Sequence, residues 1–170
     1  MFDDKLNIFR SIDKPYLLTL IGPPNCGKST FITHLKSFSI RKRLDFFHII
    51  SRDDIVLSLS GTDDYNKAWD TVDHELVNQE LKKRFETLSG LKENVVIDMT
   101  NMNRYIRKSN NDMFKDHYKI AIVFNYNKQE ILERNESRKN KKIPIEVIDS
   151  MINKYDTPTL EEGFDLIVKF

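Results

Sequence analysis

Residues 22–30 read Gly22-Pro23-Pro24-Asn25-Cys26-Gly27-Lys28-Ser29-Thr30 and fit the pattern G-x-x-x-x-G-K-[ST] without a mismatch. No other feature constrains the chain as much, because the pattern requires a strand before it and a helix after it. Both are legible. Tyr16-Leu17-Leu18-Thr19-Leu20-Ile21 is an apolar run of strand length, and Phe31, Ile32, Leu35 and Phe38 recur at helical spacing. Glycines let a backbone turn its N–H groups inward around an anion, and a helix N-terminus adds partial positive charge. Gly22, Asn25, Cys26, Gly27, Lys28, Ser29 and Thr30 are therefore expected to cradle the phosphates of ATP. In that arrangement Lys28 supplies a point charge and Ser29 a hydroxyl for Mg²⁺. Cys26, the only cysteine, reads first as a small residue filling the loop.

The remainder alternates strand-like and helical runs. Strands are expected at 16–21, 46–51, 94–98, 118–125 and 165–170, and helices at about 28–38, 53–60, 65–88, 103–116, 128–138 and 145–155. Unbroken apolar strands separated by helices predict an α/β fold, a five-stranded parallel sheet with helices on both faces, built as one domain over residues 1–170. Ligands of such sheets sit beyond the C-terminal strand ends. Several of those ends here carry polar residues.

With a net charge of +1, any nucleic-acid contact must be local and not the work of a global field. A single cysteine excludes an intramolecular disulfide framework and points to a reducing, cytoplasmic compartment. No apolar run reaches membrane-spanning length, and Met1-Phe2-Asp3-Asp4 has neither the basic nor the apolar region of a secretory signal.

The rim offers groups for phosphoryl transfer. Asp98 ends an apolar strand, the Walker B position, where it is expected to hold Mg²⁺ directly or through water and to bond Ser29; the alternative is a cap for the next helix. Arg52-Asp53-Asp54 follows the second strand. Either aspartate could be an N-cap, or Asp53 could accept a proton from an acceptor hydroxyl. Arg134 and Arg138 share one helical face. That face is either solvated at a helix C-terminus or a lid closing over ATP. Thr100 and Asn101 follow the third strand and are candidate acceptor contacts with Arg52 and Asp53; Arg104, Arg107 and Lys108 could contact acceptor phosphate, with the 139–142 loop, although a plain surface helix fits these three better. Residues 139–143 read as an exposed basic loop, and Arg41-Lys42-Arg43 as a solvated connection. Trp69, His74, Val72, Leu76 and Leu81 are expected to pack. His48 and His117 show no metal-ligand spacing.

Taken together, these motifs resemble the kinase domain of polynucleotide 5′-hydroxyl kinases of the phage and animal end-healing type. The marks are residues 22–31, Ser51-Arg52-Asp53-Asp54, the run from Val96 to Asn103, Glu133-Arg134-Asn135 through Arg138, Ile143-Pro144, and Pro158 through Phe164. The resemblance implies a P-loop kinase with a helical lid at about 134–144. It also implies ATP and Mg²⁺ as cofactors and transfer of the γ-phosphate to a 5′-hydroxyl end of a nucleic acid. Asp53 then matches the general base, Lys28 and Ser29 the loop residues, and Arg138 the lid arginine. Two departures stand out. Ile55-Val56-Leu57 offers no arginine where phage members often carry one, and no Asp-x-Asp-x-Thr phosphatase motif occurs. The first keeps open a kinase acting on a hydroxymethyl-modified base in DNA or on a small-molecule alcohol. A nucleotide-gated switch fits less well, because Asn127-Lys128-Gln129-Glu130 has Glu where the guanine-reading motif has Asp.

Overall fold

A computed structural model describes residues 6–42, 46–139 and 141–170. The Met1-Phe2-Asp3-Asp4 start, Arg43 of the basic connection and Asn140 of the basic loop lie outside the described residues. Strands β1 (Tyr16–Ile21), β2 (Phe47–Ser51), β3 (Asn94–Asp98), β4 (Tyr118–Val123) and β5 (Leu166–Lys169) form one sheet in the order β2-β3-β1-β4-β5. Every pair is parallel. The helices are α1 (Lys28–Lys42), α2 (Arg52–Ser60), α3 (Tyr65–Thr71), α4 (His74–Ser89), α5 (Arg104–Met113), α6 (Lys128–Glu136) and α7 (Ile145–Asn153).

The period-2 geometry of β1 distributes its side chains between two cores. Leu18 and Leu20 pack with Phe31, Leu35 and Phe38 of α1. Leu17 packs on the opposite face with Phe85 of α4 and with Phe114. Both faces are covered, so all of β1 is buried and its sequence is continuously apolar apart from Thr19. Because β1 lies between β3 and β4, the strand order reverses beside it, which opens a crevice at the C-terminal strand ends.

Three local expectations need correction. The long helix expected at 65–88 is two helices. Val72 is extended, and the Asp73 carboxylate accepts hydrogen bonds from the backbone of Glu75 and Leu76, starting α4 afresh. Val72 and Leu81 pack there, whereas Trp69 and Leu76 stay 41% and 50% exposed. Neither Asp53 nor Asp54 caps α2. Ser51 does, its hydroxyl accepting from the Asp54 N–H at 3.2 Å, which leaves the Asp53 side chain available to the rim. Finally, Arg107 is no surface residue but fully buried. Its guanidinium grips Glu162 through two bonds of 2.7 and 2.8 Å and donates to the carbonyls of Asn101 and Met102.

A buried guanidinium that loses its carboxylate is left as an uncompensated charge. Glu162→Gln should therefore lower unfolding free energy by about 3–5 kcal/mol, read by urea denaturation. His117 gives a second test. It is buried, bonds the Glu93 carbonyl at 2.9 Å, and has no partner at Nδ1 among the described residues. Burial holds its pKa below the ordinary 6.5, against the opposing bond from Glu93. The unfolded chain then takes up a proton near that pH while the folded one does not, so stability should fall as pH drops below 6.5. His117→Gln should flatten this slope in urea unfolding compared at about pH 7.5 and 5.5.

Candidate active site

The loop after β1 folds back on its own lysine. Lys28 Nζ donates to the carbonyls of Gly22 and Pro23 at 2.8 and 2.7 Å. Asn25 and Gly27 adopt positive φ (66° and 108°), which turns the intervening backbone inward before the Phe31 N–H closes the first helical bond on Gly27 at 3.0 Å. Gly22 is required for space. A Cβ there would stand 2.6 Å from Cys26 Sγ and 3.2 Å from Phe124 Cβ. The Gly22 N–H donates to the Thr100 carbonyl at 3.0 Å, joining the loop to the segment after β3. Burial lowers the Lys28 pKa, while Cys26, Asp98 and Asp53 oppose that effect. Burial also raises the Cys26 thiol, which keeps it protonated and unreactive.

A cleft of about 720 Å³ opens over this loop. Asp53 at the start of α2, Asp98 at the end of β3, and Arg134 and Arg138 around the end of α6 all line it, with Met99 and Thr100. Burial raises the Asp98 pKa, partly offset by Lys28. No direct hydrogen bond joins Asp98 to Ser29 among the described residues, although both face the cleft. Arg134 donates to the Asn25 carbonyl at 3.1 Å and pairs with Glu130. Four cationic side chains, Lys28, Arg134, Arg138 and Lys141, thus confront two carboxylates. That local excess fits a polyanionic ligand.

The acceptor side departs from expectation. The Asn101 side chain is buried and donates to the Leu20, Ile97 and Met99 carbonyls, with φ at 48°; it ties the fold together and is not part of the cleft lining. Arg52 is turned to Asn78 at 2.7 Å and lies 5.8 Å from the Trp69 ring centre. Arg104 is exposed, its N–H bonded to Asp156, and stands outside the cleft lining. Two further residues enter instead. Tyr65 donates its hydroxyl to Asp53 Oδ1 at 2.6 Å, and the Lys141 ammonium pairs with Asp53 Oδ2. Burial and the bond to Asp53 push the Tyr65 phenol far above its ordinary pKa, so it remains a donor. The sequence carried a partial signal for each. Asp64 precedes a helical run as its cap, which marks Tyr65 as a first-turn residue, and Lys141 belongs to the basic loop.

A parallel sheet of this order with a glycine–lysine loop at its C-terminal rim defines a P-loop kinase-like domain. The chain belongs to the family described as an AAA domain, whose model matches residues 17–158. Among solved structures it is similar to Kti12 of Chaetomium thermophilum in complex with ADP-AlF3. That match has 13% identity and a TM-score of 0.66 over 91% of this chain and 88% of that one. A chain of the Pnkp1/Rnl/Hen1 RNA repair complex matches with 22% identity and a TM-score of 0.63, over 85% of this chain and 45% of that one. Shikimate kinase from Acinetobacter baumannii, in complex with shikimate, matches with 14% identity and a TM-score of 0.58 over 95% of this chain and 87% of that one. At these identities the likenesses show the fold. No helix among the described residues is long and apolar enough to cross a membrane.

The crowding at Gly22 can be tested directly. Gly22→Ala should weaken ATP binding at least about tenfold, because overpacking displaces the loop. Adding Cys26→Ala should restore much of the loss, since it removes the 2.6 Å clash and leaves the 3.2 Å approach to Phe124 beside an ordinary 3.7 Å contact with the Cβ of residue 26. Calorimetric titration of the single and double variants measures this coupling.

Proposed function

We propose that the chain is an ATP-dependent kinase that transfers the γ-phosphate to the 5′-hydroxyl end of a polynucleotide, with Asp53 as general base. The observation that carries the reading is the position of Asp53. It comes from the second strand end, yet it lines the same cleft as Lys28, Asp98 and Arg138. A phosphate cradle and a carboxylate on one wall are what a hydroxyl acceptor needs. Asp53 takes the hydroxyl proton, the acceptor oxygen bonds to Pγ, the Pγ–O bond to ADP breaks, and the bridging electrons leave with ADP. The transition state is loose, so an ordinary carboxylate suffices as base. Lys28 and Arg138 place positive charge beside the transferring group.

The donor set fits Mg²⁺. Among the described residues no cluster of three or more His, Cys, Asp or Glu could hold a metal by itself. A magnesium ion typically takes one or two protein oxygens and completes its shell with phosphates and water. The Ser29 hydroxyl and the Asp98 carboxylate would be those oxygens, and the ion would neutralise phosphate charge there.

One observation favours a smaller acceptor as the second reading. Ile55 and Val56 are fully buried, Asn101 is spent on the framework, and Arg52 is turned onto Asn78 and Trp69. Of the arginines expected on the acceptor side, Arg52 is thus turned away and Arg107 is buried against Glu162. A hydroxymethyl-modified base in DNA or a small-molecule alcohol would fit the same machinery. The likeness to a chain of an RNA repair complex supports the first reading, and the likeness to shikimate kinase the second.

Transfer of labelled phosphate from ATP to 5′-hydroxyl oligonucleotides, hydroxymethyluracil DNA and free nucleosides separates the two. Asp53→Asn should retain ATP binding and lose turnover by about 10²–10⁴-fold on whichever acceptor is used. Turnover near that of the wild type would remove Asp53 from the chemistry.

A further inference from the structure

Asp53 is already engaged on both carboxylate oxygens. Oδ1 accepts the Tyr65 hydroxyl and Oδ2 the Lys141 ammonium. The same ammonium stands 4.1 Å above the centre of the Tyr65 ring, a cation–π contact. An acceptor hydroxyl that hands its proton to Asp53 must come within about 2.6–3.2 Å of a carboxylate oxygen. Lys141 stands at one of those oxygens. Yet Lys141 also lines the phosphate cleft with Lys28 and Arg138, so it borders both substrate positions.

The loop that carries it is held at its base. Asn135 donates to the Ile143 carbonyl at 2.8 Å and accepts from the Ile143 N–H at 3.1 Å. The Asn135 side-chain oxygen also accepts from Asn25 of the phosphate loop at 3.3 Å. The lid loop is thereby tied to the phosphate loop through Asn135 and to the acceptor side through Lys141. A lysine is a compact charge on a flexible four-carbon stem, so it can exchange partners while the base of the loop stays in place. A triphosphate against Lys28 offers that charge a stronger partner than one carboxylate.

We propose that Lys141 is a positioning residue that Asp53 and the donor nucleotide share. It stays paired with Asp53 until a nucleoside triphosphate binds, then moves to the phosphates and leaves Asp53 open to the acceptor hydroxyl. This rests on Asp53 being the base. The base is then released only when the donor is in place, and donor binding strengthens acceptor binding through this exchange.

Trp69, the chain's one tryptophan, reports on the exchange. Its ring stacks on Tyr65 with centroids 6.0 Å apart, so withdrawal of the ammonium from Tyr65 alters its surroundings. Wild type, Lys141→Met and Lys141→Arg are titrated with Mg²⁺ and the β,γ-imido analogue of ATP, with binding followed by calorimetry and Trp69 by emission. The expected result is an emission change at saturation in wild type and Lys141→Arg that is lost in Lys141→Met, although the analogue still binds. With the acceptor that wild type phosphorylates, the analogue should tighten acceptor binding about 5–10-fold in wild type and less than about twofold in Lys141→Met. In that variant kcat should fall more than KM for ATP changes. An equal emission change in Lys141→Met, or none in wild type at calorimetric saturation, overturns the proposal. If wild type phosphorylates no 5′-hydroxyl end but the emission pattern holds, the exchange of Lys141 stands and the end-kinase reading falls.

Discussion

A single buried guanidinium organises the rim on which the candidate site is built. Arg107 makes four hydrogen bonds, two to the Glu162 carboxylate and two to the carbonyls of Asn101 and Met102. Burying such a charge is costly unless its donors are bonded in good geometry, and here each of the three nitrogens has a partner. Glu162 is itself held. One of its oxygens accepts from the Thr159 N–H in a capping box, and its carbonyl accepts from Asn111. The C-terminal segment is thus welded to α5. From Arg107 the path continues through Asn101, which bonds the end of β1 at Leu20, and through Thr100, whose carbonyl receives the Gly22 N–H. The first glycine of the phosphate loop is therefore oriented by a charge pair in a different layer of the molecule.

The electrostatics of the cleft follow from concentration and not from excess. The chain as a whole carries a net charge of +1, yet four of its cations line one cleft against two carboxylates. Charges of both signs on the rest of the surface screen one another within a Debye length, whereas the cleft gathers four cations closely enough for their fields to add. Burial acts on Lys28 and Asp98 in opposite senses on the charge scale, since it favours the neutral form of each, and each opposes that effect on the other. A phosphate and a metal ion would relieve both at once.

Interactions that join the end of α6 and Ile143 to the phosphate loop run through two side-chain amides and one guanidinium. Asn135 satisfies both the N–H and the carbonyl of Ile143 and also receives the Asn25 amide, while Arg134 takes the Asn25 carbonyl. Asn25 sits at positive φ, a conformation that asparagine tolerates better than most residues. The same residue thus shapes the phosphate loop and bonds Arg134 and Asn135, which places the end of α6 and the phosphate loop under one constraint.

By itself the sequence determined the phosphate loop, the succession of strands and helices, and the delivery of Asp53 and Asp98 to strand ends. These are local properties, written in spacing, periodicity and glycine placement over a few residues. Even so, one extended residue and a cap at Asp73 were enough to split a helix that periodicity alone ran together. Only the tertiary structure decided what surrounds the Asp53 carboxylate and which arginine is exposed. Asp53 meets Tyr65 across 12 positions and Lys141 across 88, and Arg107 meets Glu162 across 55. No spacing rule spans such distances. The charges look alike in the sequence, and it is the path of the chain over the sheet that buries Arg107 beside its carboxylate, turns Arg52 away and sets Lys141 against Asp53.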